Sequence, residues 1–156
     1  MARVPLGNHG SRLPASQAQL LSVPLHLSLL AGIADGATGD VLDFRTLDGL
    51  YDRFWRHKQD RVRERRGGVS RWTEVIDLLC EEMSRSQQLA VPLVRLDDRR
   101  EDVEAMASEH VLVIDQQRCS FLHESFFDYA FARRFATRGR SLLQFLLENS
   151  QDLFRR

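Results

Sequence analysis

The chain has 156 residues, 43% hydrophobic and 28% charged, a composition that supports an ordinary globular core and excludes a wholly disordered chain. Twenty-two basic side chains balance twenty-two acidic ones, so no global field draws the molecule onto nucleic acid or an anionic membrane. The richest apolar run, Leu20 to Ile33, is broken by Ser22, Pro24, His26 and Ser28 and falls short of a membrane span, and the first residues lack the order of a signal peptide, which leaves the cytoplasm as the expected compartment.

Residues 1–15 scatter Pro5, Gly7, Gly10 and Pro14 among arginines and read as a disordered leader. A helical pattern runs from Ser16 to Leu21. Pro24 then opens a second helix through Leu25, Leu27, Leu29, Leu30 and Ile33, because the N–H that proline lacks has no intrahelical partner in a first turn. The alternation from Leu25 to Leu29 would also suit a strand, but the apolar run continues to Ile33 without a turn signal. After a loop over Gly36 to Asp43, Thr46 is the N-cap of a helix whose inner stripe is Leu47, Leu50, Tyr51, Phe54, Trp55 and Val62. Its exposed side carries Asp52, Arg53, Arg56, Lys58, Asp60 and Arg61, and Gly67-Gly68 stops it. Ser70 caps the next helix, with Trp72, Val75, Ile76, Leu79, Cys80 and Met83 inward, to about Gln88.

Beyond Pro92 an extended Leu93 to Leu96 leads to a short helix that starts around Asp97-Asp98 and buries Val103, Ala105 and Met106. The period then changes. Val111 to Ile114 and Cys119 to Leu122 form a hairpin with the four-residue connection Asp115-Gln116-Gln117-Arg118. An aromatic helix follows, with Phe126, Phe127, Ala130, Phe131 and Phe135, closed by Gly139, and Ser141 caps a last helix from Leu142 to Phe154. The expected fold is mainly α: a small helical subdomain at 16–69, a winged helix with a two-stranded wing at 70–138, and the first helix of a truncated region at 139–156.

No GxxxxGKS or GxxxxGKT phosphate loop is present. Val111-Leu112-Val113-Ile114-Asp115 has the look of an apolar strand ending in a magnesium-holding acid, but the turn and second strand that follow make it half of a hairpin. There is no Ser-His-Asp or HExxH arrangement, and Cys80 and Cys119 lack a CxxC partner, so they read as buried reduced thiols rather than a zinc site. No metal site and no autonomous enzyme are expected.

Two stretches stand out: Leu20-Leu21-Ser22-Val23-Pro24-Leu25-His26-Leu27-Ser28-Leu29-Leu30 and Phe121-Leu122-His123-Glu124-Ser125-Phe126-Phe127-Asp128-Tyr129-Ala130-Phe131-Ala132-Arg133-Arg134. Together they resemble the NACHT family of STAND nucleotide-switch ATPases, which includes NOD-like receptors and many bacterial relatives. The resemblance covers Ser16 to the carboxy terminus. It implies that Pro24 packs on the adenine of a bound nucleotide and that His123 reaches the β-phosphate of ADP, clamping a resting state that exchange for ATP releases to permit oligomerisation. It implies ATP/ADP as the cofactor of the intact parent protein, with no tight binding to this chain alone, and a nucleotide-binding core supplied in cis or in trans as partner. Ser22 stands where the family commonly has a glycine two residues before the proline, and the nucleotide-binding α/β core is absent from the sequence.

On the residues alone, Pro24 also reads as a helix-start proline and His123 as a local cap, while Glu124 and Asp128 are favourable partners for a helix dipole. Arginines cluster at Arg61 to Arg66, at Arg133, Arg134, Arg138 and Arg140, and at Arg155-Arg156. A stand-alone winged helix binding DNA or a protein partner is therefore the alternative to a regulatory signalling segment. Interleaved acidic residues favour solvated helix faces over a nucleic-acid footprint.

Overall fold

The computed structural model describes residues 14–34 and 42–137. Of these 69% are helical, which places the fold in the mainly α class. Most of the expected leader, most of the loop after Gly36 and the helix expected at 142–154 lie outside the described residues. Among the described residues no helix is long and apolar enough to cross a membrane. The chain packs as two compact units, the first ending at Trp55 and the second beginning at Arg56.

The first unit contains α1 (Ala15–Leu20), α2 (Pro24–Ala34) and the opening turns of α3 (Leu47–Arg65). Pro24 does begin a helix, and Leu29 and Ile33, one helical turn apart, are buried with Leu21. Two polar side chains, Gln17 and His26, are buried here and both are spent on backbone carbonyls. The Gln17 amide donates to the carbonyls of Leu42 and Phe44, which fastens the segment leading into α3 onto α1. His26 Nδ1 lies 2.6 Å from the Leu20 carbonyl oxygen and ties α2 to the end of α1. Thr46 caps α3 as its sequence dictates, its Oγ1 accepting the Gly49 N–H at 3.1 Å. Leu50, Tyr51, Phe54 and Trp55 are buried along the stripe.

In the second unit α3 ends at Gly67 and Gly68, with φ of 68° and 97°. Gly68 N–H donates to Arg63 O at 2.9 Å and Gly67 N–H to Glu64 O at 3.0 Å, the paired bonds of a Schellman motif, whose left-handed turn glycine adopts without a Cβ penalty. All six expected inward residues of α4 (Trp72–Ser86) are buried. Ser70 sits one residue further out than a cap: Arg71 flanks the helix, and Ser70 Oγ accepts the Trp72 N–H at 3.2 Å. There follow β1 (Val91–Pro92), a 3-10 helix at Leu93–Arg99, α5 (Arg100–Ser108), β2 (Leu112–Asp115), β3 (Arg118–Phe121) and α6 (Glu124–Thr137). The antiparallel sheet runs in the order β1-β3-β2. Helix, strand, helix, hairpin, helix with this strand order is the connectivity of a winged helix.

Four further expectations are corrected. The sheet has three strands, since Val91 and Pro92 pair with Cys119 and Arg118; the proline is tolerated because β1 is an edge. The hairpin is tighter than read: Asp115 and Arg118 pair across it, leaving Gln116 and Gln117 as a two-residue turn with φ of 43° and 65°, the positive values a type I′ turn requires. Leu93 to Leu96 is not extended. Leu93 and Leu96 are both buried while Val94 is 70% exposed, a spacing of three that suits a 3-10 helix, and Leu93 N–H donates to Gln117 O at 2.8 Å. Finally, Lys58 is not on the exposed side of α3 but buried at 6% exposure, because it lies four residues from both Phe54 and Val62 on the apolar stripe.

Candidate functional site

Each residue singled out by the sequence stands at the entrance of a helix. Pro24, in the first unit, is the first residue of α2 and is exposed. The Val23 carbonyl accepts the N–H groups of His26 at 3.0 Å and Leu27 at 3.3 Å, and the Pro24 carbonyl accepts Ser28 Oγ at 3.1 Å. Val23 is 41% exposed and Leu27 49%. Residues 23, 24 and 27 share one helical edge, so the pyrrolidine ring sits in a small apolar surface at the start of the helix.

His123, in the second unit, follows β3 and precedes the first residue of α6. Aromatic packing fixes that junction: the Phe121 ring lies 5.8 Å from Phe126, edge on, and 5.9 Å from Phe127. The His123 carbonyl accepts the Phe126 N–H at 3.0 Å and the Phe127 N–H at 3.4 Å. Its Nδ1 accepts the Ser125 N–H at 3.2 Å and lies 2.8 Å from Ser125 Oγ. His123 is thus the N-cap of α6, satisfying one of the donors that a helix start leaves over. Because Nδ1 is an acceptor in this arrangement, the neutral ring carries its proton on Nε2. The side chain is exposed, and an Nε2–H beside a helix N-terminus has the chemistry to donate to an anionic oxygen. The local-cap reading and the phosphate-sensing reading therefore use different nitrogens of one ring.

Sequence reasoning missed a charged cluster between α3 and the end of α5. Glu109, 5% exposed, accepts Arg65 Nε at 2.8 Å and Nη2 at 2.6 Å on Oε1. Its Oε2 lies 3.7 Å from both Lys58 Nζ and Arg61 Nε. Burial pushes the Glu109 carboxyl up, but the Arg65 hydrogen bond and the charges of Arg65, Lys58 and Arg61 outweigh it, so the group sits below its ordinary 4.5. Burial, then the charges of Lys58 and Arg61, hold the neighbouring His57 below its ordinary 6.5, against weaker upward pulls from Glu109 and Asp60. A second buried carboxylate, Asp102, accepts the Arg71 N–H at 3.0 Å and lies 3.5 Å from Arg66 Nε, whose Nη1 reaches Glu101 at 2.6 Å. The available signal was Asp102 on a helix with an apolar face and Glu109 just past its end.

Among the described residues of the arginine clusters, Arg61, Arg65, Arg66 and Arg134 are engaged by carboxylates, and positions 138, 140, 155 and 156 lie outside the described residues. Arg134, 14% exposed in its side chain, holds Asp77 at 3.0 Å through Nε and Glu81 at 3.0 Å through Nη2, linking α6 to α4. Both cysteines are free and buried, as expected, and burial pushes each thiol up to about 12. Among the described residues no group of three or more His, Cys, Asp or Glu side chains is arranged to hold a metal ion. No protein-family model matches this chain, and no curated protein or solved structure matches it.

Proposed function

We propose that the chain is a regulatory, nucleotide-sensing segment of a NACHT-type STAND signalling ATPase, working with a nucleotide-binding core supplied in cis or in trans and catalysing nothing by itself. The observation that carries this reading is the His123 ring at the entrance of α6, its Nδ1 occupied as a cap acceptor and its Nε2–H left as a donor on an exposed side chain. In the parent protein that donor would meet the β-phosphate of ADP, and the winged helix would translate the contact into the position of a whole domain. The exposed Pro24 ring, flanked by Val23 and Leu27, supports a second contact through the apolar face of adenine. With no phosphate loop in these residues, catalysis belongs to the core, and oligomerisation follows exchange of ADP for ATP.

The DNA-binding alternative is disfavoured by charge. The helix that would enter a major groove, α5, exposes Glu101 at 74% and Glu104 at 57% of their side chains. Its Arg100 is engaged with Glu104 at 3.0 Å and Asp97 at 3.5 Å. Phosphates would meet carboxylates there.

Titrating the isotopically labelled chain with ADP, and separately with adenosine, tests the proposal. One donor and a helix start support a dissociation constant of about 1 mM or weaker, so ADP should perturb the His123 ring and the first amides of α6 at millimolar concentration, while adenosine leaves them alone. Absence of any response to ADP there would remove the reading of His123, and micromolar affinity would contradict the dependence on a separate core.

A further inference from the structure

We infer that Ser125 is a positioning residue for His123: it fixes the ring as the Nε2–H tautomer, so that the exposed nitrogen donates and cannot accept. The inference rests on the proposed function for its purpose but on geometry for its substance. The backbone N–H and the hydroxyl of Ser125 converge on one atom, the N–H at 3.2 Å and Oγ at 2.8 Å from Nδ1. A backbone N–H can only donate, so the Nδ1–H tautomer would set two protons against each other. The hydroxyl, which can donate or accept, is compatible with that lone pair, so the backbone N–H is the contact that decides the tautomer. Packing of Phe121 against Phe126 and Phe127 holds β3 and the first turn of α6 in register, which keeps residues 123 and 125 at this separation.

The consequence is selection among ligands. A ring locked as an Nε2–H donor suits an anionic oxygen, a phosphoryl oxygen under the proposed function, and rejects ligands that offer only a donor to this position. In the same way a second residue on a metal-free histidine decides which nitrogen does the work. Ser125 itself need touch no ligand.

The tautomer can be read directly from two-bond proton–nitrogen correlations of the His123 ring in the full chain, at a pH where the imidazole is neutral. We expect the Nδ1–H form to be suppressed in the native chain and to rise roughly fivefold in Ser125→Pro, which removes the deciding N–H in a first helical turn where proline is tolerated, the factor expected for losing one hydrogen bond. Ser125→Ala, which keeps the backbone N–H, should keep the native ratio. A native ring populating the Nδ1–H form, or a ratio unchanged by Ser125→Pro, overturns the inference. Loss of the backbone correlations of α6 would mark an unfolded variant, and the native spectrum together with Ser125→Ala then decides the matter. The ADP titration is a separate outcome: a locked ring that ignores ADP sinks the proposed function alone, and an ADP-responsive ring with no tautomer bias sinks this inference alone.

Discussion

The two compact units bury polar groups in opposite ways. In the first, Gln17 and His26 are spent on main-chain carbonyls, so the buried polarity is a backbone matter. In the second, Glu109, Lys58 and Asp102 are buried amid arginines, so the buried polarity is a balance of charge. A side-chain amide on a carbonyl responds little to pH or salt. A buried carboxylate matched against three cations depends on them, since their charges offset the cost of taking it out of water. Sensitivity to charge-altering substitution should therefore concentrate in the second unit.

The sharpest way to break this contrast is Glu109→Ala, which removes the carboxylate against which the buried Lys58 ammonium rests. We expect a loss of about 3 kcal/mol or more, followed by chemical denaturation in a Trp55→Phe background, where Trp72 is the remaining tryptophan of two and reports on the second unit. A loss below ~1 kcal/mol would mean that the cluster is ornamental. In the first unit Gln17→Leu is the matched substitution: it withdraws the amide from the carbonyls of Leu42 and Phe44 and should lower stability by about 1–2 kcal/mol, with no change in the dependence on pH. Amide exchange in α1 and at residues 42–45 checks it.

The smallest effect sharpens the contrast most. Both His57 and Glu109 have folded values below their unfolded ones. Between the two values the unfolded chain holds the extra proton, so stability falls as pH falls. The His57 contribution is whole above 6.5 and is lost as pH drops through its folded value; that of Glu109 is whole above 4.5 and is lost in the same direction. Replacing His57 by Gln should flatten the first of these declines and leave the second. A stability profile unchanged by His57→Gln between neutral and mildly acidic pH would show that burial does not hold this imidazole neutral.

What the sequence made legible is what local chemistry decides. Thr46 and the Gly67-Gly68 pair bound α3, Pro24 starts α2, and the stripe from Trp72 to Met83 is read off a single helical period. What escaped depended on partners distant in the chain. Two residues, Val91 and Pro92, become a strand only because β3 offers its edge. The turn at Gln116-Gln117 takes left-handed backbone without the Asn-Gly that usually announces it, since the strands on either side impose the register. Arg65 and Glu109 meet across 44 positions. His123 was legible as a residue of interest, but only the geometry shows that its Nδ1 accepts the Ser125 N–H as the cap of α6.

The two thiols carry a practical consequence. With each pushed up to about 12, the thiolate is scarce at neutral pH, and both are sealed from solvent. Alkylating reagents should therefore react with Cys80 and Cys119 only while the winged helix is momentarily open, at a rate proportional to how often it opens. The chain carries its own built-in gauge of breathing, readable by mass spectrometry without adding a label to its surface.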